Sequence, residues 1–270
     1  MKANILEKQG YVYTAKWCRH ISENLSDYAD ISELSNNLTD LIKTFKDEFL
    51  ARTDFGNRDL RFKCLAVVQG ILEWGIRAGP NLRQTLGEAL PLLDRIVMAS
   101  KPIDNVSTVL SELPENAEET RVYGSLFVFQ LHLESQYFPM LRTLCAIKLT
   151  GDGENQAVEK AMDMDFADIK TCLGIEAEPL FEVYETDGRH LRNSIAHAQF
   201  SYSQGKLTCW DIDRSDKEVW RRELTTEQLG AIIFDIYSIN QGYMFWFALR
   251  ELIDQVTEQA RKGFVKKAKK

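Results

Sequence analysis

Glycine and proline are scarce in this chain, with 15 and 6 among its 270 residues. Their scarcity excludes collagen-like and mucin-like classes of protein. The five cysteines are odd in number and widely spaced, and no CxxC pair occurs, so a disulfide framework and a zinc cluster are not expected. Runs of ~18 apolar residues are absent, so no membrane-spanning helix is expected. The polar start of the chain shows no signal-peptide pattern, and the cysteine usage fits a reduced cytoplasm best.

The composition that remains is that of an ordinary globular protein, with 44% apolar and 27% charged residues. The net charge is −7, and residues 261–270 hold six positive charges, which leaves −13 on the other 260 residues. An acidic body argues against broad, non-specific binding of polyanions, but it leaves room for a small, local basic site.

Apolar residues at helical spacing predict helices over residues 36–51, 59–78 and 81–99. The segment 100–115 contains two prolines and few helix signals, which indicates a boundary. We therefore predict three regions. Residues 1–100 form an N-terminal helical region of unknown role, residues 101–262 form a second domain, and residues 263–270 form a solvated basic tail.

The second region has a clearer plan. Its spacing predicts a long helix over 115–149 with a kink at Pro139, two short helices over 154–162 and 165–173, and a helix from Pro179 to Ala198. The alternation in 199–213 predicts a β-hairpin, and 219–224 is a candidate third strand. A capping box of Thr225 and Gln228 opens a final long helix. The expected fold is all-α, with a small β-hairpin inserted after the helix that ends near residue 198.

The candidate catalytic residues of the chain lie in that helix, within residues 188–198. At 100° per residue, an apolar stripe forms on one side, and a polar face forms on the other. The stripe consists of Leu180, Tyr184, Leu191, Ile195 and Ala198. The polar face consists of Arg189, His190, Asn193 and His197, while Arg192 diverges from His197 by about 140°.

Histidine suits proton transfer near neutral pH, arginine supplies forked donors to phosphate oxygens, and asparagine can orient either. Together these groups suffice for cleavage of RNA by its own 2′-hydroxyl, which needs no metal ion. The competing interpretation is a solvated helix face on which the His197 ring bonds a backbone carbonyl.

The segment Arg192-Asn193-Ser194-Ile195-Ala196-His197 resembles the R-x4-6-H signature of HEPN domains, which have a polar residue directly after the arginine. The resemblance covers about residues 115–262, in which two long helices enclose the motif helix. It implies a helical bundle that dimerises through the motif helix. It also implies a metal-independent ribonuclease of the toxin or anti-phage type, without a cofactor.

Carried over from the resemblance, His197 is the acid–base residue, Arg192 stabilises the charged phosphorane, and Asn193 holds the arrangement. Arg189 and His190 are candidate substrate-binding residues. An antitoxin or regulatory protein is an expected partner, alongside RNA. Toxins that a nucleotidyltransferase modifies carry a tyrosine two residues after the histidine; this chain has Gln199 there, which puts that particular regulation in doubt.

Two alternatives stay open on the sequence. Some HEPN proteins have lost catalysis, so the polar face could instead bind a nucleotide or a partner protein as a scaffold. Other histidines and aromatic residues favour structural roles: His132 as a core histidine, His20 as a structural residue, and Trp210, Trp220 and Trp246 as core residues that could also stack on bases. Asn240 is a candidate buried polar residue that either touches the motif helix or fixes helix register.

Overall fold

The computed structural model describes residues 58–76, 80–240 and 243, which form a mostly helical protein with one small antiparallel sheet. The predicted helix over 36–51, the tail 263–270, His20 and Trp246 lie outside the described residues. The regular elements, in chain order, are α1 (Arg58–Ile76), α2 (Pro80–Glu88), α3 (Leu90–Ser111), α4 (Glu118–His132), α5 (Phe138–Gly151), α6 (Ala157–Asp163), α7 (Phe166–Leu173), α8 (Glu178–Val183), α9 (Arg189–Ala196), β1 (Phe200–Ser203), β2 (Lys206–Ile212), β3 (Glu218–Leu224) and α10 (residues 226–240).

The segment around residue 100 is helical, which corrects the expectation of a break there. Helix α3 runs across this position and contains Pro102, whose ring is exposed, while Ile96, Ala99 and Ile103 bury one face. The helix ends at Ser111, three residues before Pro114. The helices before and after residue 100 contribute to one hydrophobic cluster, which extends from Leu60 to Tyr243.

Helices α4 and α5 together form the predicted long helix, and a π turn at Leu133–Tyr137 joins them. The irregularity therefore precedes Pro139 as a π turn. A proline has no N–H to donate and its ring crowds the preceding turn, so a locally widened helix accommodates it.

The predicted short helices correspond to α6 and α7, and Asp165 caps α7 by accepting a hydrogen bond from the Asp168 amide at 2.9 Å. Pro179 lies in the first turn of α8, as expected. A second π turn, Tyr184–Gly188, joins α8 to α9, so Gly188 does not end the helix.

The three strands pair in the order β1-β2-β3, and both pairings are antiparallel. Gln204 and Gly205 connect β1 to β2 with φ values of 52° and 75°. Two central residues with positive φ are the signature of a type I′ turn, whose twist matches that of the flanking strands. The predicted hairpin and the candidate third strand are both confirmed.

The capping box of α10 is reciprocal: the Gln228 amide donates to Thr225 Oγ1 at 3.3 Å, and the Thr225 amide donates to Gln228 Oε1 at 2.9 Å. Further along α10, buried Asn240 donates to Gln136 Oε1 at 3.2 Å. That same oxygen lies 2.8 Å from His132 Nδ1, and burial lowers the pKa of His132. His132 is thus a core histidine as predicted, and Asn240 contacts the long helix of α4 and α5 rather than α9.

Candidate active site

Helix α9 lies between the sheet and the long helix of α4 and α5. Its buried face contains Leu191 and Ser194, which are both fully buried. The Ser194 hydroxyl lies 2.7 Å from the carbonyl oxygen of Trp210 in β2 and 2.8 Å from the carbonyl oxygen of His190. Both oxygens are within hydrogen-bond distance of this hydroxyl donor. This contact ties α9 to the sheet at the centre of the motif.

The apolar stripe is confirmed for Leu180, Tyr184 and Leu191, and Ile195 is partly buried. Ala198 is exposed, which contradicts its place in the stripe. The reason is the end of the helix: Ala198 has φ 53°, and the Gln199 amide donates to Ser194 O at 2.7 Å. This is a Schellman motif, and it turns the chain away directly after His197.

The two π turns pack against each other below the motif. The Tyr137 hydroxyl donates to the Leu180 carbonyl at 2.7 Å, and the rings of Tyr137 and Tyr184 are 5.7 Å apart. Phe138 contacts Tyr184 edge to face at 5.3 Å. Because π turns are found frequently at functional sites, the contact between these two π turns under the motif helix indicates a candidate functional site in this region of the fold.

Two of the predicted site residues share one partner, Asp211 in β2. His190 Nδ1 lies 2.8 Å from Asp211 Oδ2, and Asn193 Nδ2 donates to the same oxygen at 3.0 Å. The Asp211 side chain is only 7% exposed. The indole of Trp220 stacks on the His190 ring with 5.3 Å between centroids and 9° between planes. His190 and Asn193 are therefore held by the sheet.

Arg189 lies beside this group, with its Nη2 3.4 Å from His190 Nε2, the nitrogen that Asp211 does not contact. Two residues before Arg189, Asp187 forms an ion pair with Arg222 of β3. The structure thus brings Arg189, His190 and Asn193 together on one side of α9, as the sequence predicts.

Arg192 points to the other side of α9, toward the long helix. Its Nε donates to Glu134 Oε1 at 2.5 Å, and its guanidinium carbon is 5.5 Å from the centroid of the Phe138 ring. Burial alone would lower the pKa of Arg192, but the hydrogen bond and charge of Glu134, with a contribution from Tyr184, raise it overall. A guanidinium has five N–H donors, so donors remain for a further acceptor.

His197 is exposed and is the residue after the last turn of α9. Within the described part of the chain, neither a side chain nor a backbone group bonds to its ring. The competing interpretation, in which a backbone carbonyl engages this ring, is therefore not observed among residues 58–76, 80–240 and 243. His197 lies seven residues after His190, about two helical turns away on nearly the same face.

The sequence did not point to Asp211 or Glu134, which position the site, and it indicated Trp220 only as a core residue that could also stack on bases. One signal was available for Asp211. Leu207, Cys209 and Asp211 alternate along β2 and are all buried, so a carboxylate on the buried face of a strand required a donor. Glu134 gives no comparable signal, because its partner is 58 residues away in the sequence.

The described residues contain no group of three or more His, Cys, Asp or Glu side chains placed to hold a metal ion. None of the described helices is both long enough and apolar enough to cross a membrane. Comparison of the chain with protein-family models, curated proteins and solved structures gives no match in any of the three.

Proposed function

We propose that this chain is an RNA endonuclease of the HEPN type, which cleaves by attack of the 2′-hydroxyl on the adjacent phosphate and needs no metal ion. His197 transfers a proton, Arg192 stabilises the charge that develops on the phosphate, and Asn193 holds the arrangement. Arg189 and His190 contact the substrate. The observation that carries the proposal is the exposed His197 ring, which shares a helix face with two polar side chains fixed by a buried carboxylate.

The charge of the motif helix supports an RNA substrate. Helix α9 contains two arginines, one histidine and no acidic residue, and His197 follows it directly. Outside the basic residues 261–270 the chain carries a net charge of −13, so within this acidic body the motif helix offers a local site for a polyanion. We therefore expect cleavage at selected sites rather than general RNA binding.

A symmetric dimer that joins two copies of α9 is part of the proposal. Arg192 points toward Glu134, whereas His197 lies at the end of the opposite face, so one chain does not present both groups to one phosphate. In a two-fold dimer, Arg192 of one protomer meets His197 of its partner.

The dimer gives a complementation test. Arg192→Ala and His197→Ala proteins are each inactive, but a mixture that exchanges subunits regains about a quarter of the wild-type activity, because half of the dimers contain one intact composite site. Light scattering checks that the dimer forms, and activity of the mixture is measured on labelled RNA. No recovery in a mixture that demonstrably contains mixed dimers would contradict a shared site.

The cellular role rests on the resemblance alone: a toxin or phage-defence protein in the cytoplasm, held in check by an antitoxin or a regulatory protein. Induced expression tests it. Wild-type protein should arrest growth and degrade RNA, and His197→Ala protein at equal abundance should not. Arrest by both proteins would refute this role for the site.

A second candidate function is that of a non-catalytic scaffold which binds a nucleotide or a protein partner through the same face. The ion pair of Arg192 with Glu134 favours it, because this pair occupies the Nε donor of the arginine within the chain. The two functions differ in one observable result: a scaffold does not cut RNA under any condition, and its His197→Ala variant loses only binding.

A further inference from the structure

The Asp211–His190 pair has the geometry of a proton-transfer dyad, in addition to tying α9 to β2. The Asp211 carboxylate is nine-tenths buried, and its oxygen Oδ2 is hydrogen-bonded to both His190 Nδ1 and Asn193 Nδ2. Trp220 stacks nearly parallel on the His190 ring. Asp211 of β2 and Trp220 of β3 therefore fix the position and the plane of this imidazole, and Asn193 of α9 holds the Asp211 carboxylate.

This geometry selects one tautomer. A carboxylate only accepts hydrogen bonds, so the nitrogen that faces it, Nδ1, carries the proton of the neutral ring. The lone pair of the neutral imidazole is then on Nε2. That nitrogen is on the outer side, where the exposed Arg189 approaches it at 3.4 Å. The ring thus presents a basic nitrogen next to a cation that can hold a phosphate.

The charges around the ring fit this role. Asp211 forms no ion pair with a lysine or arginine of the described residues, and the two arginines that follow Trp220 in β3 are paired elsewhere, Arg221 with Glu218 and Arg222 with Asp187. The negative charge of Asp211 is therefore available to stabilise the imidazolium that forms when His190 accepts a proton.

We infer that His190 is the general base of the cleavage reaction, that Asp211 is its positioning residue, and that His197 is the general acid. This inference rests on the proposed function and deepens it. Nε2 of His190 accepts the proton of the 2′-hydroxyl, and the 2′-oxygen forms a bond to phosphorus. The bond between phosphorus and the 5′-oxygen breaks, and His197 gives that oxygen a proton. The products are a 2′,3′-cyclic phosphate and a 5′-hydroxyl, and both rings return to their starting states by proton exchange with water.

The spacing of the two histidines suits this division of labour. Seven residues of α-helix separate them by about 10.5 Å along the axis and only about 20° around it. A phosphodiester that lies along this face of the helix would meet His190 at one end and His197 at the other. Arg189, next to the base, is placed to bind a non-bridging oxygen of that phosphate.

The test compares two versions of one short RNA that contains a cleavage site mapped in natural RNA. One version has the ordinary bridging 5′-oxygen, and the other has sulfur in its place. A thiolate, with a pKa of about 8.5, leaves without receiving a proton, so the sulfur version does not need the general acid. Wild type, His190→Ala, Asp211→Asn and His197→Ala are assayed on both.

We expect all three variants to be slower on ordinary RNA, with His190→Ala and His197→Ala down by about 10²–10⁴. On the sulfur-linked RNA, His197→Ala should recover to near the wild-type rate, and His190→Ala and Asp211→Asn should stay slow. A structural loss at Asp211 would also slow both RNAs, so the positioning role of Asp211 is separated from it by thermal unfolding and by the tautomer of the His190 ring.

Controls separate chemistry from folding. Asp216→Asn removes a carboxylate from the same hairpin at an exposed residue with φ 59°, a backbone conformation that asparagine tolerates, and it should keep the wild-type rate. His190→Gln keeps a donor near Asp211 but cannot take up the proton, so it should be folded and slow. Thermal unfolding monitors every variant.

The outcomes are distinct. A wild-type rate for His190→Ala and His190→Gln on ordinary RNA would overturn the inference while leaving the proposed function intact. Recovery of His190→Ala on the sulfur-linked RNA would assign it the acid role and also overturn the inference. Wild type that cuts neither RNA would overturn the proposed function together with the inference.

Nitrogen NMR of the histidine rings tests the dyad independently of activity. In its neutral state, the His190 ring of the wild type should carry its proton on Nδ1, the nitrogen that faces the Asp211 carboxylate. In Asp211→Asn this preference should be lost, because an amide can donate as well as accept. A neutral wild-type ring protonated on Nε2 would contradict the arrangement.

Discussion

The ion pair between Arg192 and Glu134 offers a way to separate a catalytic arginine from a structural one. Glu134→Gln removes the charge and keeps the size of the side chain and an acceptor oxygen for Arg192 Nε. Both side chains of the pair are 37% exposed, so solvent screens their attraction. Exposed or half-exposed pairs contribute at most about 1 kcal/mol to the free energy of unfolding, and we expect a loss of about 0.5–1 kcal/mol.

The effect on rate should be very different for the two partners. A donor that stabilises developing charge contributes about 2.7–4 kcal/mol to the transition state, so Arg192→Ala should lower the cleavage rate by about 10²–10³. Glu134→Gln should change the rate no more than about five-fold, in either direction, because the arginine remains in place and loses only a competing acceptor.

The assay pairs initial cleavage rates with unfolding in denaturant. A matched control is Glu185→Gln, since Glu185 pairs with Lys170 at 2.6 Å and the two side chains are 37% and 39% exposed. It should cost a similar fraction of stability and leave the rate unchanged. If Glu134→Gln loses as much rate as Arg192→Ala, the arginine acts through the pair, and its proposed role in catalysis is refuted.

Two further predictions concern reactivity and strain. A hydrogen bond from Cys145 lowers the pKa of the Cys172 thiol, whereas burial raises the pKa of Cys64 and Cys209 to about 12. Because the thiolate is the nucleophile, iodoacetamide at mildly alkaline pH should label Cys172 before the other described cysteines, and peptide mass spectrometry that finds another of them labelled first would contradict this order. Ala198→Gly should raise the free energy of unfolding by about 0.5–1 kcal/mol, because glycine adopts the observed φ of 53° without strain, and denaturant titration showing a loss would count against that strain.

The helices and the hairpin could be predicted from the sequence because the residue patterns that indicate them are local. The apolar spacing of α1, the capping box of Thr225 and Gln228, and the alternation in residues 199–213 each depend on neighbours within a few positions. The break expected after residue 100 was wrong for a related reason. Two prolines weigh heavily in a local argument, but Ile96 packs in the main hydrophobic cluster and Ile103 packs with Val128 of α4, and this burial keeps α3 continuous past Pro102.

The candidate site could be predicted from the sequence only in part. Helix geometry alone places Arg189, His190, Asn193 and His197 on one face, and the first three are indeed close together. The side chains that pair with the site residues were not identified, because Asp211 lies 18 residues from Asn193 in the sequence, and Glu134 lies 58 residues from Arg192, on the other side of the helix. The two π turns were also missed, since each adds a residue to a helical turn without a strong sequence signal.

The most direct test of the central claim is the cleavage of a labelled, structured RNA in EDTA, with analysis of the new ends. The account predicts that wild type cuts the RNA without a metal ion and leaves 2′,3′-cyclic phosphate and 5′-hydroxyl ends, and that His197→Ala is slower by about 10²–10⁴. Cleavage that disappears in EDTA, ends of the opposite polarity, or equal rates for wild type and His197→Ala would contradict it.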